Sequence, residues 1–129
     1  MSLSRIMHIE DDPSIQEVVR IALEIVGGMT VCTCSSGPEG LEKVESYAPE
    51  LILLDVMMPG MDGPQTLQKL RSDPITQDIP VIFMTAKVQP SEIAEYQRLG
   101  ALGVIVKPFD PMTLSDQIRA LWSESDGQV

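Results

Sequence analysis

Basic residues are scarce in this chain. Its 129 residues carry 9 Lys and Arg against 19 Asp and Glu, a formal charge of −10. Nucleic acids and anionic membrane surfaces require a basic patch, so neither is an expected direct partner. Histidine is nearly absent, with His8 alone, and cysteine is limited to Cys32 and Cys34. A Cys-x-Cys pair supplies half of a zinc site. In a strand the two thiols point to one face and do not bridge without strain, so they read as reduced thiols of a cytoplasmic protein. No apolar run approaches the roughly 18 residues of a membrane-spanning helix. Met1 to Arg5 lack a secretory apolar segment. Internal repeats, low-complexity segments and glycine-rich phosphate loops of the G-x-G-x-x-G or Walker type are also missing.

What is present is enough for one domain with a core of its own. Hydrophobic residues make up 43% and charged residues 22%, which excludes disorder. Short β-branched runs alternate with longer helical patterns. Strands are expected at 5–9, 29–33, 51–54, 81–84 and 104–106. Their continuous apolar character suits strands covered on both faces. Asp12-Pro13 opens a first helix whose stripe is Ile15, Val18, Val19, Ala22, Leu23 and Val26, stopped by Gly27-Gly28. Ser36-Gly37-Pro38, Gly63-Pro64, Pro90 and Asp110-Pro111 open four more. Leu41 and Val44, Leu67 and Leu70, Ile93, Tyr96 and Leu99, and Leu114, Ile118 and Leu121 are their expected inward residues. Strand–helix units with right-handed crossovers give an α/β fold. The fitting form is a doubly wound five-stranded parallel sheet of order 2-1-3-4-5 with five helices. The domain is expected over 4–122, with 123–129 a polar tail or severed linker.

In such a sheet the ligand crevice lies beyond the carboxyl ends of strands one and three. Strand one ends in Glu10-Asp11-Asp12, strand three in Asp55, strand four in Thr85-Ala86 and strand five in Lys107-Pro108. Carboxylates brought that close raise one another's pKa or demand a cation. A hard divalent ion, Mg²⁺ or Mn²⁺, fits an all-oxygen donor set. Lys107, the Thr85 hydroxyl and the Ala86 N–H would clamp a phosphoryl group, with Asp55 as nucleophile forming an aspartyl phosphate.

These residues resemble the receiver domain of two-component response regulators, a flavodoxin-like fold. The resemblance covers about Arg5 to Leu121. It rests on Ile9-Glu10-Asp11-Asp12, the run from Leu53-Leu54-Asp55 through Pro59-Gly60-Met61-Asp62-Gly63, Met84-Thr85-Ala86, and Val106-Lys107-Pro108-Phe109. It implies that Asp55 is the phosphoacceptor. It also implies a Mg²⁺ site of Asp11, Asp12, Asp55 and the Met57 backbone carbonyl, with Asp11 reaching the metal through water. Thr85, Ala86 and Lys107 become the phosphoryl contacts, and the Lys107–Pro108 bond is cis. The implied partner is a sensor histidine kinase or a histidine phosphotransfer protein; because Asp55 is reached from that edge, docking is expected over the first helix, which Ile15 starts, and the loops around Asp55. The output goes to a downstream protein or an effector domain. A signalling module that catalyses only its own phosphorylation and dephosphorylation follows. Met57 and Lys87 occupy the places that tune hydrolysis and imply a long-lived phosphoprotein. Where the family carries an aromatic switch, three places before its lysine, this chain has Val104, with Tyr96 a candidate substitute ring.

Two further readings stand beside it. A degenerate receiver serving only as a binding scaffold would usually lack the aspartate or the lysine. A haloacid-dehalogenase-type phosphatase would carry Asp-x-Asp, and Asp55-Val56-Met57 lacks the second acid.

Overall fold

The computed structural model describes residues 2–86 and 89–126. Five strands, β1 (Arg5–Ile9), β2 (Thr30–Cys34), β3 (Leu51–Asp55), β4 (Val81–Thr85) and β5 (Gly103–Val106), form one sheet in the order β2-β1-β3-β4-β5. Every pairing is parallel, as expected. Strand two lies one residue later than the sequence pattern placed it, and β3 and β4 run one residue further. Asp55 and Thr85 are therefore the last residues of sheet strands rather than loop residues.

Strand alternation gives the sheet two different faces. Ile6, Leu51, Leu53, Ile82, Met84 and Ile105 pack with Val19, Ala22, Leu23, Leu114 and Ile118 on one side. Met7, Ile9, Ile52, Leu54, Val81 and Phe83 pack with Val44, Leu67, Leu70 and Tyr96 on the other. The first layer comes from helices α1 (Pro13–Arg20) and α5 (Leu114–Asp126), the second from α2 (Gly37–Tyr47), α3 (Gly63–Ser72) and α4 (Pro90–Arg98). Buried on both faces, β3 and β4 tolerate no alternation of apolar and polar residues, which is why they read as continuous apolar runs. Cys34 is buried and Cys32 half-buried against the second layer, and neither is bridged.

Three helices differ from their sequence patterns. The first continues from Arg20 into a π-helical stretch, Ile21–Val26. The wider turn leaves Val26 about two-fifths exposed, and Val18, before that turn, is exposed to a similar degree. In α4, Leu99 is likewise exposed rather than inward. The fifth starts at Leu114 rather than at Pro111. The Asp110 side chain accepts from the Met112 N–H at 2.9 Å, and its carbonyl accepts from the Thr113 and Leu114 N–H groups. These are the bonds of an N-cap turn, with Pro111 after the cap, but the continuous helix begins only at Leu114. At its other end α5 runs through Ser123 to Asp126, residues expected in the polar tail.

The helix entries follow the capping chemistry of the sequence. Asp12 caps α1 and Ser36 caps α2. Asp62 and Gln65 form a reciprocal capping box on α3. Gly63, the first residue of α3, lies against the backbone of the phosphoacceptor candidate. A Cβ there would sit 2.5 Å from the Asp55 carbonyl oxygen and 2.8 Å from Val56 Cα. Only glycine allows this approach, which holds the chain after β3 against the start of α3.

One core residue breaks the apolar rule. His8 is fully buried in β1 between Thr33 and Leu53, and among the described residues neither ring nitrogen has a hydrogen-bond partner. Burial, then the nearby charge of Lys107, pushes its pKa down to about 3. The folded protein therefore keeps His8 neutral where the unfolded chain, with a pKa near 6.5, takes up a proton. Stability from this position is present above about pH 6.5 and falls as pH drops toward 3. An unpartnered buried polar group costs about 1–3 kcal/mol in addition. Substitution His8→Leu is expected to stabilise the fold, and by more near pH 4.5 than near pH 7.5. Urea unfolding of both proteins at the two pH values checks this; an equal change at both would contradict it.

Candidate functional site

The strand ends bring the candidate residues together at one edge. Ile6, His8 and Glu10 share a strand parity, as do Leu53 and Asp55, and Ile105 and Lys107. The α1/α5 layer is formed by Ile6, Leu53 and Ile105, so the same side of the sheet carries Glu10, Asp55 and Lys107 at its carboxyl edge. The Lys107 ammonium Nζ donates to Asp55 Oδ1 at 2.8 Å and to Glu10 Oε1 at 3.0 Å. It spans β5, β3 and β1, whose ends come from segments remote in sequence. The Lys107 N–H also bonds the Thr85 carbonyl at 2.9 Å, which ties it to the end of β4. The Lys107–Pro108 bond is cis, as the resemblance implied.

The ammonium sits among buried anions. Glu10 is 1% exposed and Asp55 3%. Burial pushes Glu10 up to about 7, with the Asp55 charge adding to it against the Lys107 hydrogen bond. Burial lowers Lys107, but its hydrogen bonds to Asp55 and Glu10 outweigh that, and its pKa is raised. Lys107 is thus a fixed cation, and burial makes the Glu10 charge costly.

Glu10, Asp11 and Asp55 each present an oxygen within 4.8 Å of the others, the oxygen-donor arrangement that suits a hard divalent cation. A pocket of about 260 Å³ is lined by all the sequence-predicted residues, Asp11, Asp12, Asp55, Met57, Thr85, Ala86 and Lys107, together with Glu10 and Ile15. Asp12 also has a task outside the pocket. Its Oδ1 accepts from the Ser14 N–H at 2.8 Å as the N-cap of α1. The carboxylate that completes the cluster is Glu10, which the sequence reading passed over. Glu10 ends strand one on the parity that faces the pocket, which is the signal for it. Met57 is 62% exposed. Lys87 lies outside the described residues.

Thr85 stands on the opposite parity, with Phe83 and Val81, and is 1% exposed. The Tyr96 side chain of α4 hydrogen-bonds it. Val104 pairs in register with Phe83 and is half-buried on the same layer.

Comparison with known proteins agrees with this geometry. Residues 6–119 match the model of the response regulator receiver domain family. The chain is 34% identical over 113 residues to response regulator Rre1 of Synechocystis, covering 88% of this chain and 49% of that protein. It is 37% identical over 124 residues to the DNA-binding dual master transcriptional regulator RpaA of Synechocystis, covering 96% and 51%. Among solved structures it is similar to the chemotaxis protein CheY4 of Vibrio cholerae, with a TM-score of 0.86, 28% identity and coverage of 93% of this chain and 99% of that one. The chain spans about half the length of the curated relatives it matches.

The raised Glu10 pKa has a defined sign. From the ordinary 4.5 to about 7 the folded state holds this proton while the unfolded chain has released it. Metal-free stability from this group is therefore lost as pH rises through that window. Replacement Glu10→Gln should flatten the decline. Denaturant unfolding in chelator at about pH 5 and pH 7.5 reads it, and parallel declines in both proteins would contradict it.

Proposed function

The chain belongs to the response regulator receiver domain family, and we propose that within it Asp55 accepts a phosphoryl group from a phosphohistidine partner. The observation that carries the reading is the Lys107 ammonium held between Asp55 and Glu10, in a pocket also lined by Thr85 and Ala86. An Asp55 carboxylate oxygen attacks phosphorus, the P–N bond to the donor imidazole breaks, and an acyl phosphate forms. Lys107, the Thr85 hydroxyl and the Ala86 N–H face the oxygens of the transferred group and offset its charge. Asp11, Asp55 and the Met57 carbonyl would hold Mg²⁺, with Glu10 in the place expected of Asp12. Three hard carboxylates within 4.8 Å fit that ion. When bound, it supplies the positive charge that lets a dianion approach a pocket of net negative charge.

The phosphodonor docks over α1. An apolar pocket beside the site is lined by Ser14, Ile15, Val18, Ala86, Lys107, Pro108 and Phe109. Ile15 packs partly on the core, whereas Val18 is 39% exposed on the same helix. A domain over 4–122 that reads out to a downstream protein or effector completes the proposal. Among the described residues no helix is long and apolar enough to cross a membrane.

Incubation with acetyl phosphate and Mg²⁺ should add one phosphoryl mass to the wild-type protein. Chelation, or the substitution Asp55→Asn, should abolish it. Efficient labelling in chelator would remove the metal from this account, and labelling of Asp55→Asn would remove Asp55. For docking, Val18→Asp should slow phosphotransfer from the cognate kinase about tenfold or more, the loss typical of an interface anchor. It should leave labelling by acetyl phosphate unchanged. Equal transfer rates from the kinase would place docking elsewhere.

A further inference from the structure

Thr85 and Tyr96 form a pair that the chemistry of Asp55 does not by itself explain. Strand β4 turns Val81, Phe83 and Thr85 to the α2/α3/α4 side, while Asp55 and Lys107 belong to the other parity. Thr85 nevertheless lines the acidic pocket, because it is the last residue of its strand. Its side chain is hydrogen-bonded to that of Tyr96. Both are buried, at 1% and 7% exposure, so water does not compete freely for this bond. The Tyr96 ring is fixed: it meets Phe83 edge-on, with centroids 5.0 Å apart and planes at 63°.

A hydroxyl has one proton to donate and two lone pairs with which to accept. If Thr85 donates to Tyr96, it has no proton left for the pocket. If Tyr96 donates to Thr85, the Thr85 proton is available to an oxygen at Asp55. A phosphoryl oxygen only accepts, so its arrival admits the second arrangement alone. With the Tyr96 ring set against Phe83, reversing the polarity of this bond requires no movement of the ring. The result is a chain from the Tyr96 hydroxyl through the Thr85 hydroxyl to the phosphoryl oxygen, in which each bond polarises the next. Val104, in register with Phe83 on the same layer, has no side-chain donor to offer.

We propose that Tyr96 is a positioning residue of the phosphoacceptor site, its hydroxyl aiming the Thr85 proton at the phosphoryl group on Asp55. This rests on the assignment of Asp55 as phosphoacceptor.

The test is the labelling rate with acetyl phosphate and Mg²⁺ in four proteins: wild type, Tyr96→Phe, Thr85→Ala and the double variant. Tyr96→Phe keeps the ring and its contact with Phe83 but deletes the donor. It should slow labelling about three- to tenfold, the weight of one net hydrogen bond. In the Thr85→Ala background the same change should have no effect, because the group it orients is gone. A purely structural contribution of Tyr96 would slow labelling equally in both backgrounds, which would overturn the assignment. So would a Tyr96→Phe protein labelled at the wild-type rate. If the wild type itself takes no label, the reading of Asp55 fails rather than that of Tyr96.

Discussion

An ammonium held by two buried carboxylates organises the carboxyl edge of this sheet. Glu10 and Asp55 sit at the ends of neighbouring parallel strands, nearly sealed from solvent, and their charges repel. Lys107 reaches across from β5 and bonds both. Removing one partner of such a buried set leaves an uncompensated charge, typically a loss of about 3–5 kcal/mol. The Lys107 backbone is in turn tied to β4 through the Thr85 carbonyl. Four strand ends are thereby linked by one residue. The same cluster retains a negative excess with Asp11 beside it, so the arrangement that stabilises the edge also leaves it receptive to a divalent cation.

The sheet was legible because its constraint is severe. Strands covered on both faces must be apolar throughout, and 51–54 and 81–84 show that directly. Order 2-1-3-4-5 followed from the repeat of strand and helix and the handedness of crossovers. What escaped was local geometry. Asp110 caps a turn at Met112, Thr113 and Leu114, yet the continuous α5 begins only at Leu114. The π-helical stretch after Arg20 preserves apolar residues at helical spacing, so periodicity alone does not reveal it.

The site was legible in its parts, with Glu10 added to them. Asp55, Thr85, Ala86 and Lys107 meet in a single pocket, because strand ends of a parallel sheet converge whatever their separation in the chain. Within Glu10-Asp11-Asp12, however, three carboxylates in a row gave no ranking by charge. Backbone geometry ranks them: Glu10 ends the inward parity of β1, and Asp12 is consumed by the first turn of α1. The Tyr96–Thr85 contact had no sequence signature, since it depends on the rotation of α4 over Phe83.

The opposite parities of β3 and β4 at this edge make the sheet an insulator with one conducting point. Glu10, Asp55 and Lys107 answer to the layer of α1 and α5, whereas Tyr96 and Phe83 belong to the layer of α3 and α4. Between them lies a wall of side chains with essentially no solvent access. Thr85, by ending its strand, faces both compartments. Two surfaces of one small domain can thus serve different partners, with the Thr85 hydroxyl a point at which a change on one side is felt on the other.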